Sequence, residues 1–142
     1  MRYDPTLVQP MRDELTRLGV RELRTAEEVD EVLGDAGGTS LVVVNSVCGC
    51  AARNARPAVA LALEHATQPD RTVTIFAGQD IEATARAREH FTGMRPSSPS
   101  LALLRDGELV YMLERHQIEG REAEAIADDL RAAYDRFCGA VA

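Results

Sequence analysis

The feature that most constrains the fold is an apolar run that leads into two closely spaced cysteines. Residues 41–44 read Leu-Val-Val-Val, and Cys48, Gly49 and Cys50 follow a few positions later. Near-continuous apolar character over 39–45 predicts a central strand buried on both faces, as in parallel sheets. The alanine-rich residues that come next favour a helix. We therefore predict a strand that delivers two thiols to the start of a helix.

Hydrophobic spacing and turn residues divide the remaining chain into alternating helices and strands. We predict helices over 10–19, 25–37, 80–90 and 121–138, a helix after Cys50 that is kinked at Pro57, and strands over 20–24, 39–45, 71–77, 101–104 and 109–113. The alternation is typical of an α/β fold with parallel strands, right-handed crossovers and helices on both faces of the sheet. The turn Asp106-Gly107 adds an antiparallel hairpin at one edge, so the sheet is expected to be mixed.

Three local signals mark where helices begin. Pro10 fits the first position of an extra N-terminal helix, because its missing N–H costs nothing there. Thr25 and Glu28 have the spacing of a capping box. Asp80 is predicted to cap the helix that follows the strand over 71–77.

Length and charge narrow the class of protein. A chain of 142 residues predicts a single domain over 1–142. Its net charge of -7, from 16 basic and 23 acidic residues, argues against nucleic acid or an anionic membrane as the partner. No apolar run approaches the roughly 20 residues of a membrane span, and residues 1–9 lack a signal-peptide pattern. We therefore expect a cytoplasmic protein, in a compartment that keeps thiols reduced.

The position of each cysteine suggests its role. Disulfides are attacked by the thiolate, and a helix N-terminus favours that form. Cys48 falls where the strand ends and the helix begins, so it is the predicted nucleophile. Cys50 lies in the first turn and is predicted to be a resolving thiol or a neighbour that stabilises the thiolate. Gly49 is best able to take the backbone angles of this tight spacing, and a Cys48–Cys50 disulfide is expected to be strained, oxidising and labile.

Two other interpretations of the cysteine pair remain open. Buried cysteines often act as small hydrophobic residues. The pair could also supply two ligands to zinc or copper. A closed metal site needs further ligands, and the candidates are Cys138, His65, His90 and His116, none of which has a tight ligand spacing. We therefore predict no metal site.

The sequence from 42 to 57, VVVNSVCGCAARNARP, closely resembles the active-site region of the bacilliredoxin family. The resemblance continues through VTIFAGQDIE at 73–82, FTGMRPSSPSLALL at 91–104 and RHQIEG at 115–120, and LRTAEEVDEVL at 23–33 also fits. It covers nearly the whole chain and is much more specific than a Cys-x-Cys spacing alone.

The resemblance implies a thioredoxin-like fold and an activity. Bacilliredoxins reduce mixed disulfides between proteins and bacillithiol, a low-molecular-weight thiol, so the implied partners are thiolated proteins and that thiol, without a resident cofactor. By this resemblance Cys48 attacks the mixed disulfide and takes bacillithiol onto itself, and Cys50 or free bacillithiol then releases it. A general disulfide isomerase and a non-catalytic metal-binding or carrier protein are the alternatives.

The resemblance also implies a cis peptide bond between Ser98 and Pro99, which would face the active-site cysteine, present backbone groups to the substrate and block metal capture. Nearer the cysteines, Asn45 and Ser46 are expected to end the strand, with hydrogen bonding to the Cys48 sulfur as the alternative. Arg53, like Arg56 after it, is expected to be a solvated surface charge, or else to stabilise the thiolate and attract the carboxylates of bacillithiol. Cys138 is expected to be partly buried, away from the active site.

Overall fold

The structure is a computed structural model that describes residues 2–34 and 37–139. Helices and strands follow in the order α1 (Pro5–Thr16), β1 (Arg21–Glu22), α2 (Ala26–Val29), β2 (Thr39–Asn45), α3 (Arg56–Ala62), β3 (Arg71–Phe76), α4 (Ile81–Arg88), β4 (Ser100–Arg105), β5 (Glu108–Leu113), α5 (Arg115–Ile118) and α6 (Ala123–Phe137). Two π-helical segments extend this set: Asp30–Gly34 continues α2, and Ala51–Ala55 precedes α3.

The five strands form one mixed sheet in the order β1-β3-β2-β4-β5. β2 is the central strand and pairs in parallel with β3, while β4 runs antiparallel to both β2 and β5. The element order alone predicts antiparallel pairing at the hairpin edge and parallel pairing elsewhere. The prediction for β4 was wrong because the loop over 89–99 carries the chain back to the carboxyl end of β2, so that Ser100 pairs with Val44.

Helices cover both faces of the sheet, as predicted. On β2, Leu41 and Val43 pack in a core with α3 and α6, whereas Val42 and Val44 pack in a second core with α2 and α4. All seven residues of β2 are buried. Burial of both faces explains why the sequence of this strand is apolar at successive positions instead of alternating.

The N-terminal helix begins earlier than predicted. Asp4 caps it, with its side chain accepting the Thr6 N–H at 2.9 Å, and Pro5 occupies the first turn. Pro10 therefore lies inside α1, and the prediction that it begins the helix was wrong. The stronger local signal was the Asp-Pro pair, in which the aspartate satisfies an orphan N–H and the proline needs no partner.

At the ends of α2 and α4, one predicted side-chain cap is present and the other is not. Thr25 caps α2, and its hydroxyl accepts the Glu28 N–H at 3.1 Å, as predicted. The π-helical continuation ends at Gly34; the predicted end of this helix at 37 lies beyond residues 35–36, which are outside the described residues. Asp80 precedes α4, but it does not cap the helix with its side chain. Its carboxylate instead accepts two bonds from the buried Arg12, at 2.7 and 2.9 Å, which ties α1 to α4.

The described residues contain no helix that is both long and apolar enough to cross a membrane.

Candidate active site

Both cysteines follow directly from the carboxyl end of β2. The carbonyl of Cys48 accepts the N–H groups of Ala51 and Ala52, at 3.1 and 3.2 Å, and residues 49–50 are already helical. Cys48 is thus the residue from which the helix starts, as predicted. The helix opens with the π-helical segment Ala51–Ala55, and Pro57, the position of the predicted kink, lies in the first turn of α3.

A buried arginine stabilises the junction between β2 and the cysteines. Arg56 is only 3% exposed, and its Nη1 donates to Asn45 Oδ1 at 2.9 Å and to the Ser46 carbonyl at 3.0 Å. Its Nε lies 3.2 Å from a Glu14 carboxylate oxygen. Asn45 also donates to the carbonyl of Met11 at 3.2 Å, so α1 takes part in holding the end of β2. The expectation that Arg56 is a surface charge was wrong, because the end of β2 presents two inward-facing acceptors.

Ser46 connects the end of the strand to the first cysteine. The backbone N–H of Cys48 donates to Ser46 Oγ at 3.2 Å. Burial of Cys48 raises the pKa of its thiol, but hydrogen bonds from Ser46 and from the N–H groups of Ala51 and Cys50, with the charge of Arg115, bring that pKa below its ordinary value. The backbone bond fixes Ser46 beside Cys48, and the combined influences shift the pKa of Cys48 toward easier ionisation of its thiol.

Cys50 has the opposite environment. Burial, the neighbouring Cys48 and the carboxylate of Glu119 all raise the pKa of the Cys50 thiol. Its Sγ donates to Glu119 Oε2 at 3.6 Å. Cys48, Cys50 and Cys138 are all free thiols in the structure. The pKa values of the two cysteines of the motif are therefore shifted in opposite directions: Cys48 ionises more readily than an ordinary thiol, and Cys50 less readily.

Arg115 and Glu119 are the site residues that the sequence reasoning missed. Arg115 Nε donates to Glu119 Oε2 at 3.1 Å, and both side chains come from α5 and the turn after it. This short helix was not predicted, and its capping box was the available signal: Gln117 Oε1 accepts the Glu114 N–H at 2.9 Å, and the Glu114 side chain accepts in return. A Glu-x-x-Gln sequence directly after a strand could have revealed it.

The Ser98–Pro99 peptide bond is cis, as predicted. Pro99 is buried, and the pairing of Ser100 with Val44 places it next to the end of β2. Arg115 Nη1 donates to the Ser98 carbonyl at 3.3 Å. One arginine therefore joins the cis-proline loop to the group of charges that faces the cysteines.

Gly49 and Arg53 lie at the exposed side of the motif. In this dithiol form the φ angle of Gly49 is outside the left-handed region. The prediction for Gly49 concerns a Cys48–Cys50 disulfide, so it stays a prediction. A Cβ at position 49 would lie 2.6 Å from Arg53 Nη2. What the glycine provides here is room for the Arg53 guanidinium to lie over the cysteine turn. Arg53 is exposed, as expected.

Cys138 lies at the other end of the sheet. It is partly buried at the C-terminus of α6, and its thiol faces Thr39 at the start of β2. Burial raises the pKa of this thiol; Thr39 and Arg105 act to lower it, Asp70 acts to raise it further, and the net direction is upward. Among the residues that the structure describes, no group of three or more His, Cys, Asp or Glu side chains could hold a metal ion.

Comparison with known proteins identifies the family. A family model described as "Disulphide isomerase" matches residues 3–138. A bacilliredoxin of Koribacter versatilis is 54% identical over 140 residues, which covers 99% of this chain and 97% of the relative. A bacilliredoxin of Shouchella clausii is 58% identical over 132 residues, with 93% and 92% covered. The chain belongs to the bacilliredoxin family. It is accordingly a thiol–disulfide oxidoreductase.

Solved structures confirm the thioredoxin-like fold of this family member. A thioredoxin of Fasciola hepatica has a TM-score of 0.56 at 20% identity, covering 83% of this chain and 99% of the thioredoxin. A mutant thioredoxin of Halobacterium salinarum has a TM-score of 0.55 at 21% identity, with 86% and 93% covered. At these identities the likeness concerns the fold.

Proposed function

We propose that this protein reduces mixed disulfides between proteins and bacillithiol, with Cys48 as the nucleophile. The observation that carries the proposal is the position of Cys48 at the start of a helix, where the pKa of its thiol is lowered while that of the nearby Cys50 is raised. A thiolate at a helix N-terminus is the nucleophile of thiol–disulfide exchange. The choice of bacillithiol is supported by the names of the relatives, which are bacilliredoxins.

The first step is a single exchange. The Cys48 thiolate attacks the bacillithiol sulfur of the mixed disulfide, the bond to the substrate cysteine breaks, and the substrate leaves as a thiolate that takes a proton from water. A new disulfide then joins Cys48 to bacillithiol. A second thiol must break that bond and restore Cys48. Because disulfide and thiols exchange electrons only among themselves, the cycle needs no resident cofactor.

Arg53 is proposed to contact the thiol co-substrate. It lies over Gly49 on the exposed side of the cysteine turn, where an incoming molecule would approach. A guanidinium can bind a carboxylate through two parallel hydrogen bonds, and bacillithiol carries carboxylates. On this proposal Arg53→Gln raises KM for a bacillithiolated substrate severalfold and leaves kcat within about twofold.

The test is to map the adduct that forms on mild treatment with oxidised bacillithiol. We expect the mass of one bacillithiol on Cys48 in a Cys50→Ser variant, and none on residue 48 in Cys48→Ala. An adduct that forms equally well in Cys48→Ala, or that maps only to Cys138, would contradict the nucleophile assignment. Cys138→Ser serves as the matched control, because it removes a thiol from the opposite end of β2.

General disulfide isomerisation is the second candidate, and the description of the matching family model favours it. The two activities separate by substrate. Turnover of bacillithiolated proteins with no reactivation of a scrambled multi-disulfide protein supports the first function, and the reverse result supports the second. Reduction of mixed disulfides fits a compartment that keeps thiols reduced, so a cytoplasmic location is part of the first proposal.

A further inference from the structure

The carboxylate of Glu119 lies within hydrogen-bonding reach of the second cysteine, at 3.6 Å from Cys50 Sγ. We propose that Glu119 keeps Cys50 in its neutral form, so that a thiol from solution, rather than Cys50, resolves the bacillithiol adduct on Cys48. A neutral thiol is a poor nucleophile. Glu119 would thus determine which of two routes the reaction takes, although it forms no bond to the substrate.

The position of the carboxylate is fixed by its neighbours. Arg115 Nε holds Glu119 Oε2 at 3.1 Å, and the same guanidinium donates to the Ser98 carbonyl at 3.3 Å. Glu119 is therefore tied to the cis-proline loop on one side and faces Cys50 on the other. A carboxylate held in this way opposes a second negative charge beside it.

The state of Cys48 changes the balance of charge during the reaction. In the free enzyme, Cys48 and Glu119 are the negative groups that act on Cys50. Once Cys48 has formed a disulfide with bacillithiol it carries no charge. Among the described residues Glu119 is then the negative group that still opposes ionisation of Cys50, at the one stage where Cys50 could attack.

The two routes differ in what breaks the adduct. On the internal route Cys50 loses its proton to water and attacks the Cys48 sulfur, which forms a Cys48–Cys50 disulfide and releases bacillithiol as a thiolate. On the external route a second bacillithiol thiolate attacks the bacillithiol sulfur, which forms bacillithiol disulfide and releases the Cys48 thiolate. Raising the free energy of the Cys50 thiolate slows the first route and leaves the second unchanged.

The test compares the fate of the adduct in three proteins: wild type, Glu119→Gln, and the matched control Glu122→Gln. The Glu119 substitution keeps an acceptor for the thiol and removes only the charge. Glu122 is an exposed neighbour that makes no capping bond with its side chain. Each protein is treated with bacillithiol disulfide, acid-quenched over time and analysed by mass. In a Cys138→Ser background, the pH dependence of Cys50 alkylation is measured in parallel.

We expect the adduct of Glu119→Gln to convert to the internal disulfide about five- to tenfold faster than wild type at neutral pH. The midpoint of Cys50 alkylation should move to lower pH, and Glu122→Gln should behave as wild type. An unchanged conversion would overturn the proposal. A slower conversion would also overturn it, because it would mean that Glu119 accepts the Cys50 proton as a base.

The inference rests on the proposed function, and two different results distinguish failure of the inference from failure of the proposed function. If the Cys50→Ser protein forms no adduct on Cys48, the proposed function fails. If that adduct forms but its conversion in the presence of Cys50 is insensitive to Glu119→Gln, only the inference fails.

Discussion

Strand β2 has a cysteine near each of its ends, and the pKa values of the two thiols are shifted in opposite directions. Cys48 follows the carboxyl end and starts a helix, whereas Cys138 faces Thr39 at the amino end and terminates α6. Seven residues of strand separate the two positions, a span of roughly 20 Å. Both thiols are partly buried, but the pKa of Cys48 is lowered and that of Cys138 is raised.

The difference shows that burial alone does not decide the reactivity of a thiol. Burial raises the pKa at both ends and is the largest single influence on each. At Cys48 the N–H groups of a helix start, the Ser46 hydroxyl and a cation outweigh it. Cys138 instead lies at a helix C-terminus, where the helix dipole disfavours an anion, and Asp70 adds to that effect.

The largest expected effect is a loss of activity when the cysteine at the carboxyl end of β2 is replaced, but not when the one at the amino end is. Cys48→Ser should reduce the turnover of a bacillithiolated protein by on the order of a thousandfold or more, as for other covalent nucleophiles. Cys138→Ser should remain within about twofold of wild type. Steady-state assays of the two variants test this, and a comparable loss in Cys138→Ser would remove the functional distinction between the two thiols.

The next effect is on stability and concerns Arg56, the buried arginine that binds the end of β2 next to the cysteines. Arg56→Met should lower the free energy of unfolding by about 2–3 kcal/mol, because it removes the donor to the Ser46 carbonyl and one of the two donors to Asn45 Oδ1, which keeps only the Ser46 N–H. Arg53→Met, three residues away and exposed, should change it by less than about 0.5 kcal/mol. Urea unfolding measures both. Equal losses would mean that Arg56 is not specifically required.

The pH dependence of alkylation should separate the two thiols directly. In single-cysteine proteins, the rate at Cys48 should reach half its maximum below the ordinary thiol pKa, and the rate at Cys138 above it. By linkage, Cys48 contributes stability above the unfolded thiol pKa, and this is lost as pH falls through the folded value. Cys138 contributes below the unfolded pKa, and this is lost as pH rises through the folded value. Coincident alkylation profiles would contradict both directions.

A smaller effect is expected from a single hydroxyl. Ser46→Ala should raise the pKa of Cys48 and slow its alkylation at neutral pH roughly fivefold, the equivalent of one hydrogen bond of about 1 kcal/mol. Alkylation of Cys138 in the same sample is the internal control and should not change. If Cys48 reacts as fast as before, the helix start and Arg115 are sufficient without Ser46.

The smallest effect belongs to the other end of the strand. Asp70→Asn removes a negative charge near Cys138 and should speed its alkylation about twofold, while Cys48 stays unchanged. The new side chain still has an oxygen to accept the Thr39 N–H, which Asp70 accepts at 2.8 Å. A slower reaction would mean that Asp70 acts on Cys138 through the backbone rather than through its charge.

Local sequence determined much of the fold. The bounds of β2 were predicted to the residue, because the successive apolar residues at 41–44 are typical of a strand with both faces covered. The Asp106-Gly107 turn was equally clear, and both residues have positive φ, at 52° and 81°. The capping threonine of α2 and the placement of Cys48 at a helix start also follow from neighbouring residues. The cis bond at Pro99 was predicted from family resemblance, since spacing alone favours trans.

Only the tertiary structure brought the charges to the cysteines. Cys50 and Glu119 are 69 positions apart in the sequence, and no local pattern relates them. They meet because β4 runs antiparallel to β2, so that the hairpin returns the chain to the cysteine end and α5 begins there. Arg56 became a buried support for the same reason: its partners come from α1 and the end of β2. The sequence by itself determined where two thiols start a helix and which of them has the N–H groups of that start. The packing of distant segments added the charges of Arg115 and Glu119, because charge acts through space and not along the chain.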